Sequence, residues 1–336
     1  MGYYDPNDQN NYTTLGFVDP SKIKYARFDS MGNLVDENYK IVCKKSIPTG
    51  ADREGELIVA DMATLCLDVC REANVDIKDI VSVGIATPGI ANHDTGVVEY
   101  ANNLHFKKFP IGKLLSDKLG GIKVYIENDA NAAAWGEAIA GAAKGSRSSV
   151  MITLGTGVGG GIINDGKVYS GFNYAGAELG HIVIEHNGRQ CSCGRKGCWE
   201  AYSSATALIN MTTEKIEECK AQGRETLMAK IVENAGKVSG RTAFDAMRAG
   251  DAAGKEVVDT YISYLVTGLV NIVNIFQPEV ISLGGGVSNE GQWLIDEMYP
   301  FIHEQQYGSG IVEETKIRIA QLKNDAGIIG AAVLGM

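Results

Sequence analysis

The sequence predicts an α/β fold built from two halves. Short β-type runs alternate with stretches of helical periodicity, and strands in both halves end in glycines or polar residues. At 336 residues the chain is long enough for two domains of the usual size, about 100 to 200 residues each. Because ligands of open α/β sheets bind where strands end, we expect the two halves to share a cleft at those ends.

The first half is predicted to alternate strands, turns and helices. Two β runs at 12–18 and 23–28 flank Asp19-Pro20-Ser21, a composition typical of a hairpin turn. Apolar residues at helical spacing then predict a helix, and a buried strand follows it. The later elements of this half are a helix at Leu57–Ala73, a strand at Val81–Ala86 ending in Thr87-Pro88-Gly89, a helix at Ile111–Leu119, a strand at Val124–Ile126 and an alanine-rich helix at Ala130–Ala142.

The second half repeats this scheme on a larger scale. Strands end in glycines, and a long helical region separates the first strands from the last ones. The predicted elements are strands at Val150–Leu154 and Gly161–Asn164, a helical region from about Ala205 to Phe276, strands at Val280–Leu283 and Ile317–Ala320, and a final helix near Ala326–Leu334.

Composition excludes several classes of protein. A net charge of −10 argues against a general nucleic-acid binder, which needs a basic face to displace counterions. No uninterrupted apolar stretch reaches the roughly eighteen residues of a membrane span, and the first fifteen residues are polar. We therefore expect a cytoplasmic protein that contacts neither nucleic acid nor membrane.

The stretch from Glu178 to Glu200 combines four metal ligands with two carboxylates. One histidine and three cysteines are the donor set of a closed zinc site, and the glycines between them let the chain fold around one ion. A four-ligand site has no open position for water, so we predict a structural Zn2+ and expect Glu178 and Glu200 to be free to bind a polar ligand. The predicted metal ligands are His181, Cys191, Cys193 and Cys198.

Two further features have the chemistry of a catalytic site. Asp129 follows a strand and lies at or beside the N-cap of a helix, where it could act as a general base or simply cap the helix. The glycines of Leu154–Gly161 follow a strand and could cradle phosphates or form a tight hairpin, since no Walker sequence is present. Gly284, Gly285 and Gly286 offer the same choice between nucleotide binding and close packing.

Five segments together resemble the ROK family of repressors, open reading frames and sugar kinases. They are ENDANAA, LGTGVGGGI, ELGH, CSCGRKGCWE and ISLGGGVS, and the resemblance runs from about Leu57 to Leu334. It implies the actin-like, ribonuclease H-like sugar kinase fold, in which two α/β domains close over a hexose and ATP in a deep cleft. We expect domains at 1–127 and 128–321, with a C-terminal helix at about 322–336 rejoining the first.

The resemblance also implies site residues and partners. Asp129 would be the base on the sugar hydroxyl, and ATP would bind with Mg2+ beside Gly155, Thr156, Gly157 and Gly284–Gly286. A hexose is the expected substrate, and a homodimer or homotetramer the expected assembly, with Trp199 either at a subunit contact or buried in its own domain. The implied sugar ligands are Asn103, Asn128, Glu178, His181 and Glu200.

The chain departs from the family at its first phosphate-binding turn. Family kinases carry an Asp-x-Gly-Gly-Thr turn there, but Phe17–Ser21 occupies those positions, or else Asp19 is the acid and one residue is lost. Pro20 removes an amide donor in either alignment. An ATP-dependent hexose kinase of the glucokinase type, forming a sugar 6-phosphate, is the first reading. An N-acetylmannosamine or N-acetylglucosamine kinase and a sugar-binding pseudokinase are the alternatives.

A repressor of the same family is the remaining reading. It would need an N-terminal helix-turn-helix, and the twelve or so acidic, Asn-rich residues before the first predicted strand are too few for one. We therefore expect an enzyme.

Overall fold

A computed structural model of the protein describes residues 33–336. The predicted hairpin at 12–28 and the Phe17–Ser21 turn lie outside the described residues. The strands are β1 Asn33–Val35, β2 Ile41–Lys44, β3 Ser82–Thr87, β4 Ile90–Asn92, β5 Val97–Ala101, β6 Phe106–Phe109, β7 Lys123–Asn128, β8 Ser149–Leu154, β9 Val158–Asn164, β10 Lys167–Val168, β11 Val280–Gly284 and β12 Lys316–Ile319.

Ten α-helices connect these strands within the described residues. They are α1 Gly55–Glu72, α2 Ile111–Lys118, α3 Asp129–Ala140, α4 Glu200–Ser203, α5 Ala205–Ala221, α6 Leu227–Ala235, α7 Thr242–Arg248, α8 Ala252–Phe276, α9 Gln292–Gln305 and α10 Ala326–Ala332.

The strands form four sheets. β1 pairs with β2, and β4-β5-β6 is an antiparallel three-stranded sheet. β3 and β7 are parallel and in register from Ser82↔Lys123 to Thr87↔Asn128, so both strands end at the same edge. A five-stranded sheet has the order β10-β9-β8-β11-β12, with β11 and β12 parallel.

By their internal contacts the residues divide into two compact units. The first unit holds the described residues up to Met151, then Gly160–Ala177 and Ala320–Met336. The second unit holds Ile152–Gly159 and Glu178–Ile319. The C-terminal residues thus lie with the N-terminal part of the chain, while the predicted domain boundary at 127/128 stays a prediction.

Glycines let α3 and α10 pack backbone to backbone in the first unit. A Cβ on Gly330 would lie 1.6 Å from the Ala132 carbonyl oxygen, and one on Gly136 would lie 2.2 Å from that of Ala326. The buried Glu137 carboxylate also accepts the Leu322 N–H at 2.7 Å, which ties the end of α3 to the chain that enters α10. The axis of α3 therefore has little freedom relative to α10.

Helix α8 is the core helix of the second unit. It packs against Trp199, which is fully buried and donates its ring N–H to the Tyr264 carbonyl at 3.1 Å. Of the two alternatives predicted for Trp199, the structure shows burial in its own domain. By length and composition α8 could cross a membrane, although the sequence analysis predicted no such segment. More than half of its most apolar window is buried, which is typical of a core helix in a globular protein.

Most predicted elements of residues 33–336 are confirmed within a few residues, with two corrections. The helical region at 205–276 is four helices, because Thr226 caps α6, Gly236 ends it in a left-handed conformation and Asp251 caps α8. The glycine turn between the neighbouring strands β8 and β9 is limited to Gly155–Gly157, because β9 begins at Val158 and contains the remaining glycines of the run.

The α3–α10 contact predicts unequal effects of two alanine substitutions in one helix. Gly330→Ala should lower the free energy of unfolding by about 1–3 kcal/mol or more, because the new methyl group overlaps the backbone of α3. Gly327→Ala is the matched control: its Cβ would meet nothing within 4 Å, so it should be neutral or stabilising by up to about 1 kcal/mol. Urea unfolding followed by circular dichroism measures both, and equal effects would contradict this packing.

Candidate functional site

In the first unit, Asn128 ends β7 and caps α3. Its side-chain oxygen accepts the N–H groups of Ala130 at 2.9 Å and Asn131 at 3.2 Å. Its amide nitrogen donates to the Gly89 carbonyl at 3.0 Å, in the turn that follows β3. Asn128 therefore joins the ends of the two parallel strands to the start of the helix.

Asp129 is the first residue of α3, and its side chain is exposed. The N-cap is Asn128, so Asp129 lies beside the N-cap as predicted, and one of its carboxylate oxygens accepts the Ala130 N–H at 2.9 Å. A carboxylate in the first turn of a helix is stabilised by the unpaired N–H groups there. This position suits an ionised, accessible proton acceptor.

Two other residues of the first unit bear on this site. Asn103, a predicted sugar ligand, lies half-buried in a 3-10 turn directly after β5. Glu127, which the sequence reading did not single out, is buried directly before Asn128 and accepts the Asn128 N–H at 2.9 Å. Its place in the ENDANAA segment, as an acid at the end of a buried strand, is the signal that could have identified it.

In the second unit, the four predicted metal ligands come together. Their ligand atoms all lie within 4.8 Å of one another, with 3.6 Å between the sulfurs of Cys193 and Cys198 and 3.7 Å between Cys191 Sγ and His181 Nδ1. Two sulfurs bound tetrahedrally to zinc at about 2.3 Å would be roughly 3.8 Å apart. The donor set and its spacing therefore fit a tetrahedral metal ion.

Tight backbone turns shape this loop. Gly194 and Gly197 have positive φ values of 89° and 81°, and a Cβ on Gly197 would lie 1.7 Å from the Glu185 carbonyl oxygen. Burial raises the pKa of the Cys198 thiol to about 12, whereas the Arg195 backbone N–H lowers that of Cys193. A metal ion would therefore have to displace a proton from the buried Cys198 thiol.

The Glu200 carboxylate connects the metal loop to the glycine turn after β8. One oxygen accepts the Val158 N–H at 3.0 Å, and the other accepts the Ser192 hydroxyl at 3.1 Å. Glu200 is therefore already hydrogen-bonded within the protein, and its binding of a polar ligand stays a prediction. A carboxylate has about four lone-pair sites, so it can still accept from a ligand.

Glu178 and the turn after it lie against β9. Glu178 is exposed and precedes the 3-10 turn Leu179–His181. A Cβ on Gly180 would lie 2.1 Å from the Val158 carbonyl oxygen, so this turn packs directly on the strand. Glu200 and the turn that follows Glu178 thus both lie beside the start of β9.

The two glycine turns meet within the second unit. Gly285 has a φ of +85°, and a Cβ there would lie 2.5 Å from the Leu154 backbone, one residue before the turn at Gly155–Gly157. That turn is anchored by the Thr206 hydroxyl, which donates to the Thr156 carbonyl at 2.7 Å. The two turns predicted to bind ATP are therefore neighbours, and Gly285 permits the close packing that was the alternative to nucleotide binding.

Comparison with known proteins identifies the family. The family whose model matches is the ROK family, over residues 27–336. A glucokinase of Halalkalibacterium halodurans is 35% identical over 319 residues, covering 94% of this chain and 92% of that protein. The chain therefore belongs to the ROK family.

Solved structures agree with this assignment. A ROK family glucokinase from Streptomyces griseus, in complex with glucose and AMPPNP, is 29% identical, with a TM-score of 0.71 over 96% of this chain and 98% of that one. A Listeria monocytogenes protein provisionally assigned as an N-acetylmannosamine kinase is 25% identical, with a TM-score of 0.68 over 89% and 92% of the two chains. The predicted family, two-domain actin-like fold and enzyme class, a sugar kinase, are confirmed.

The Glu200 contacts predict a stability effect that needs no substrate. Glu200→Ala should lower the free energy of unfolding by about 1–3 kcal/mol, because the buried Val158 loses the acceptor of its N–H. Glu200→Gln keeps an acceptor oxygen and should cost less, and Glu217→Ala on the exposed face of α5 is the control for losing a carboxylate. Chemical denaturation compares the three variants, and equal stability of Glu200→Ala and Glu217→Ala would contradict this role.

Proposed function

We propose that the protein transfers the γ-phosphoryl group of ATP to the 6-hydroxyl of a hexose, with glucose as the first candidate. The observation that carries this proposal is similarity over nearly the whole length to a ROK glucokinase that binds glucose and AMPPNP. The chain keeps the residue types that this reaction requires: a carboxylate at a helix start, polar residues for hydroxyls, and glycine turns for phosphates.

The proposed reaction uses Asp129 as general base. As the sugar oxygen attacks the γ-phosphorus, its proton passes to the Asp129 carboxylate, the bond to the β-phosphate oxygen breaks, and ADP leaves. Exposure of Asp129 at the start of α3 supports this role. The sugar would be held by Asn103, Asn128, Glu178, His181 and Glu200, and the phosphates of ATP by the two glycine turns, with Mg2+ neutralising their charge.

We propose zinc as the ion of the four-ligand cluster, in a structural role. Three thiolates and one imidazole are a set that zinc prefers, and four protein ligands leave no position for an activated water. Because Nδ1 of His181 faces the Cys191 sulfur, Nε2 is the ring nitrogen that could donate to a sugar hydroxyl. The ion would then fix the direction of a sugar ligand.

An N-acetylhexosamine kinase is the second candidate, because the chain also resembles the provisionally assigned N-acetylmannosamine kinase. The test is a coupled ADP-release assay with glucose, mannose, N-acetylglucosamine and N-acetylmannosamine. We expect glucose to give the highest kcat/KM, and a higher value for an N-acetylated sugar would favour the second candidate. Stabilisation by a sugar on heating, without ADP release from any of the four, would instead indicate a pseudokinase.

The base assignment predicts a selective loss of turnover. Asp129→Asn should lower kcat by about 10² or more with little change in sugar affinity, because the amide cannot accept the hydroxyl proton. Asp117→Asn, a surface carboxylate paired with Lys113 on α2, is the matched control and should leave kcat unchanged. Steady-state kinetics and sugar titration measure both quantities, and an Asp129→Asn variant with normal turnover would refute the assignment.

The zinc proposal predicts one ion per chain. Cys193→Ser should lose both the metal and sugar binding, because the metal site that stabilises the loop with His181 and Glu200 loses one of its four ligands. Cys43→Ser is the control, since Cys43 lies in β2, outside the cluster. Metal analysis by plasma mass spectrometry, with sugar binding by calorimetry, tests this. A protein that binds sugar normally after zinc removal would contradict the proposal.

A further inference from the structure

Glu127 is a buried carboxylate directly beneath the turn that carries Asp129. Its side chain is only 3% exposed, and it accepts the Asn128 N–H at 2.9 Å and the Asn131 side-chain N–H at 3.0 Å through one oxygen. The other oxygen accepts from Ser170 at 3.3 Å and from His93 Nδ1 at 2.9 Å. A buried charge is stable only when it is paired in this way.

His93 supplies the opposite charge. A carboxylate can only accept, so Nδ1 of His93 carries the hydrogen, and the hydrogen bond to Glu127 raises the pKa of the imidazole. With Glu127 ionised, the stabilisation from this pair is present below the ordinary pKa of histidine and is lost as the pH rises through the raised pKa of His93. Below the raised pKa of His93, an ionised Glu127 and the imidazolium together carry no net charge.

Two other titratable groups face His93. Asp94 Oδ1 lies 3.7 Å from Nε2, and the Tyr174 ring packs edge-on with its centroid 5.0 Å from that of His93. Tyr174 donates to the other Asp94 oxygen at 2.6 Å, and this bond raises the pKa of Tyr174, so the phenol stays neutral near pH 7. Asp94 is exposed, so water screens its charge more than that of buried Glu127.

The geometry connects this pair to the proposed base. Glu127 holds the peptide N–H of Asn128, whose side chain caps α3, and Asp129 is the next residue. It also accepts a hydrogen bond from the side chain of Asn131, in the first turn of the same helix. A shift of the turn would break charge-assisted hydrogen bonds in a buried site, which is costly.

We propose that Glu127 and His93 are positioning residues for Asp129: the buried ion pair fixes the turn that carries the base, and its zero net charge sets the pH range in which the base is ionised. This inference rests on the proposed function, since it concerns the same reaction. Neither residue needs to touch the sugar or ATP for this role.

The test compares pH profiles of kcat/KM for two variants, one of which removes the negative charge of the pair and the other the positive charge. Glu127→Gln leaves the imidazolium charge near Asp129, so the acid limb should move to lower pH. His93→Gln leaves the Glu127 charge unbalanced, so the limb should move to higher pH. Both should lower kcat, by about tenfold for Glu127→Gln, with little change in KM.

The control is a second histidine–carboxylate pair of similar geometry, which lies in the second unit. His303 Nδ1 lies 2.8 Å from Glu314 Oε1, so Glu314→Gln removes a pair of the same chemistry without altering the α3 turn. It should leave kcat and the acid limb unchanged.

The outcomes are distinguishable. An active wild type whose variants keep the acid limb in place, or move it in the same direction, would overturn the positioning role alone. A wild type without ADP release for any of the four sugars would overturn the proposed function and this inference together. Should Glu127→Gln fail to fold by circular dichroism, the direction of the shift in His93→Gln, at a half-exposed position, decides the question.

Discussion

The position of the first turn of α3 is the constraint on which the chemistry of the first unit depends. It is held from the strand side by Asn128, whose side chain caps the helix and reaches the Gly89 carbonyl. It is also held by the buried Glu127 carboxylate, which accepts the Asn128 N–H. Farther along, Gly136 and Gly330 lock the helix against α10. An exposed carboxylate on a rigid helix start suits the proposed role of Asp129 as base, because its supporting contacts leave it few alternative positions.

In the second unit, the candidate ligand residues are held in a loop instead of at a helix start. Its loop from Glu178 to Glu200 contains one 3-10 turn and ends where α4 begins, so side-chain interactions add to the backbone hydrogen bonds that shape it. The cluster of three thiols and one imidazole is one such set of bonds, and Glu200 is another. Because Glu200 accepts from Val158 and Ser192, a ligand that binds this carboxylate acts on both the metal loop and the glycine turn.

Much of this fold is predictable from local pattern. Helix α1 has apolar residues at helical spacing, and β3 and β7 are short buried runs that end in turn or cap residues. Strands β4 and β6 could not be predicted in this way, because three or four residues of mixed polarity are too few to show an alternating pattern. Helix α9 contains Pro300, which obscures a helical pattern.

The candidate site divides in the same way. The metal cluster follows from ligand spacing within one loop, so the sequence is sufficient to predict it. The contact of Glu127 with His93 joins residues 34 positions apart and depends on tertiary packing. The hydrogen bond from the Val158 N–H to Glu200 likewise depends on the folding of a loop back onto β9. Spacing in sequence therefore identifies local ligand sets, while contacts between distant segments need coordinates.

Phosphorus NMR of the products formed from MgATP and glucose is the most direct measurement of the central claim, that this chain moves a phosphoryl group onto a hexose hydroxyl. The prediction is one phosphate ester on carbon 6 of the sugar for each ADP formed. ADP with inorganic phosphate and no ester, or ATP left intact alongside bound glucose, would contradict it.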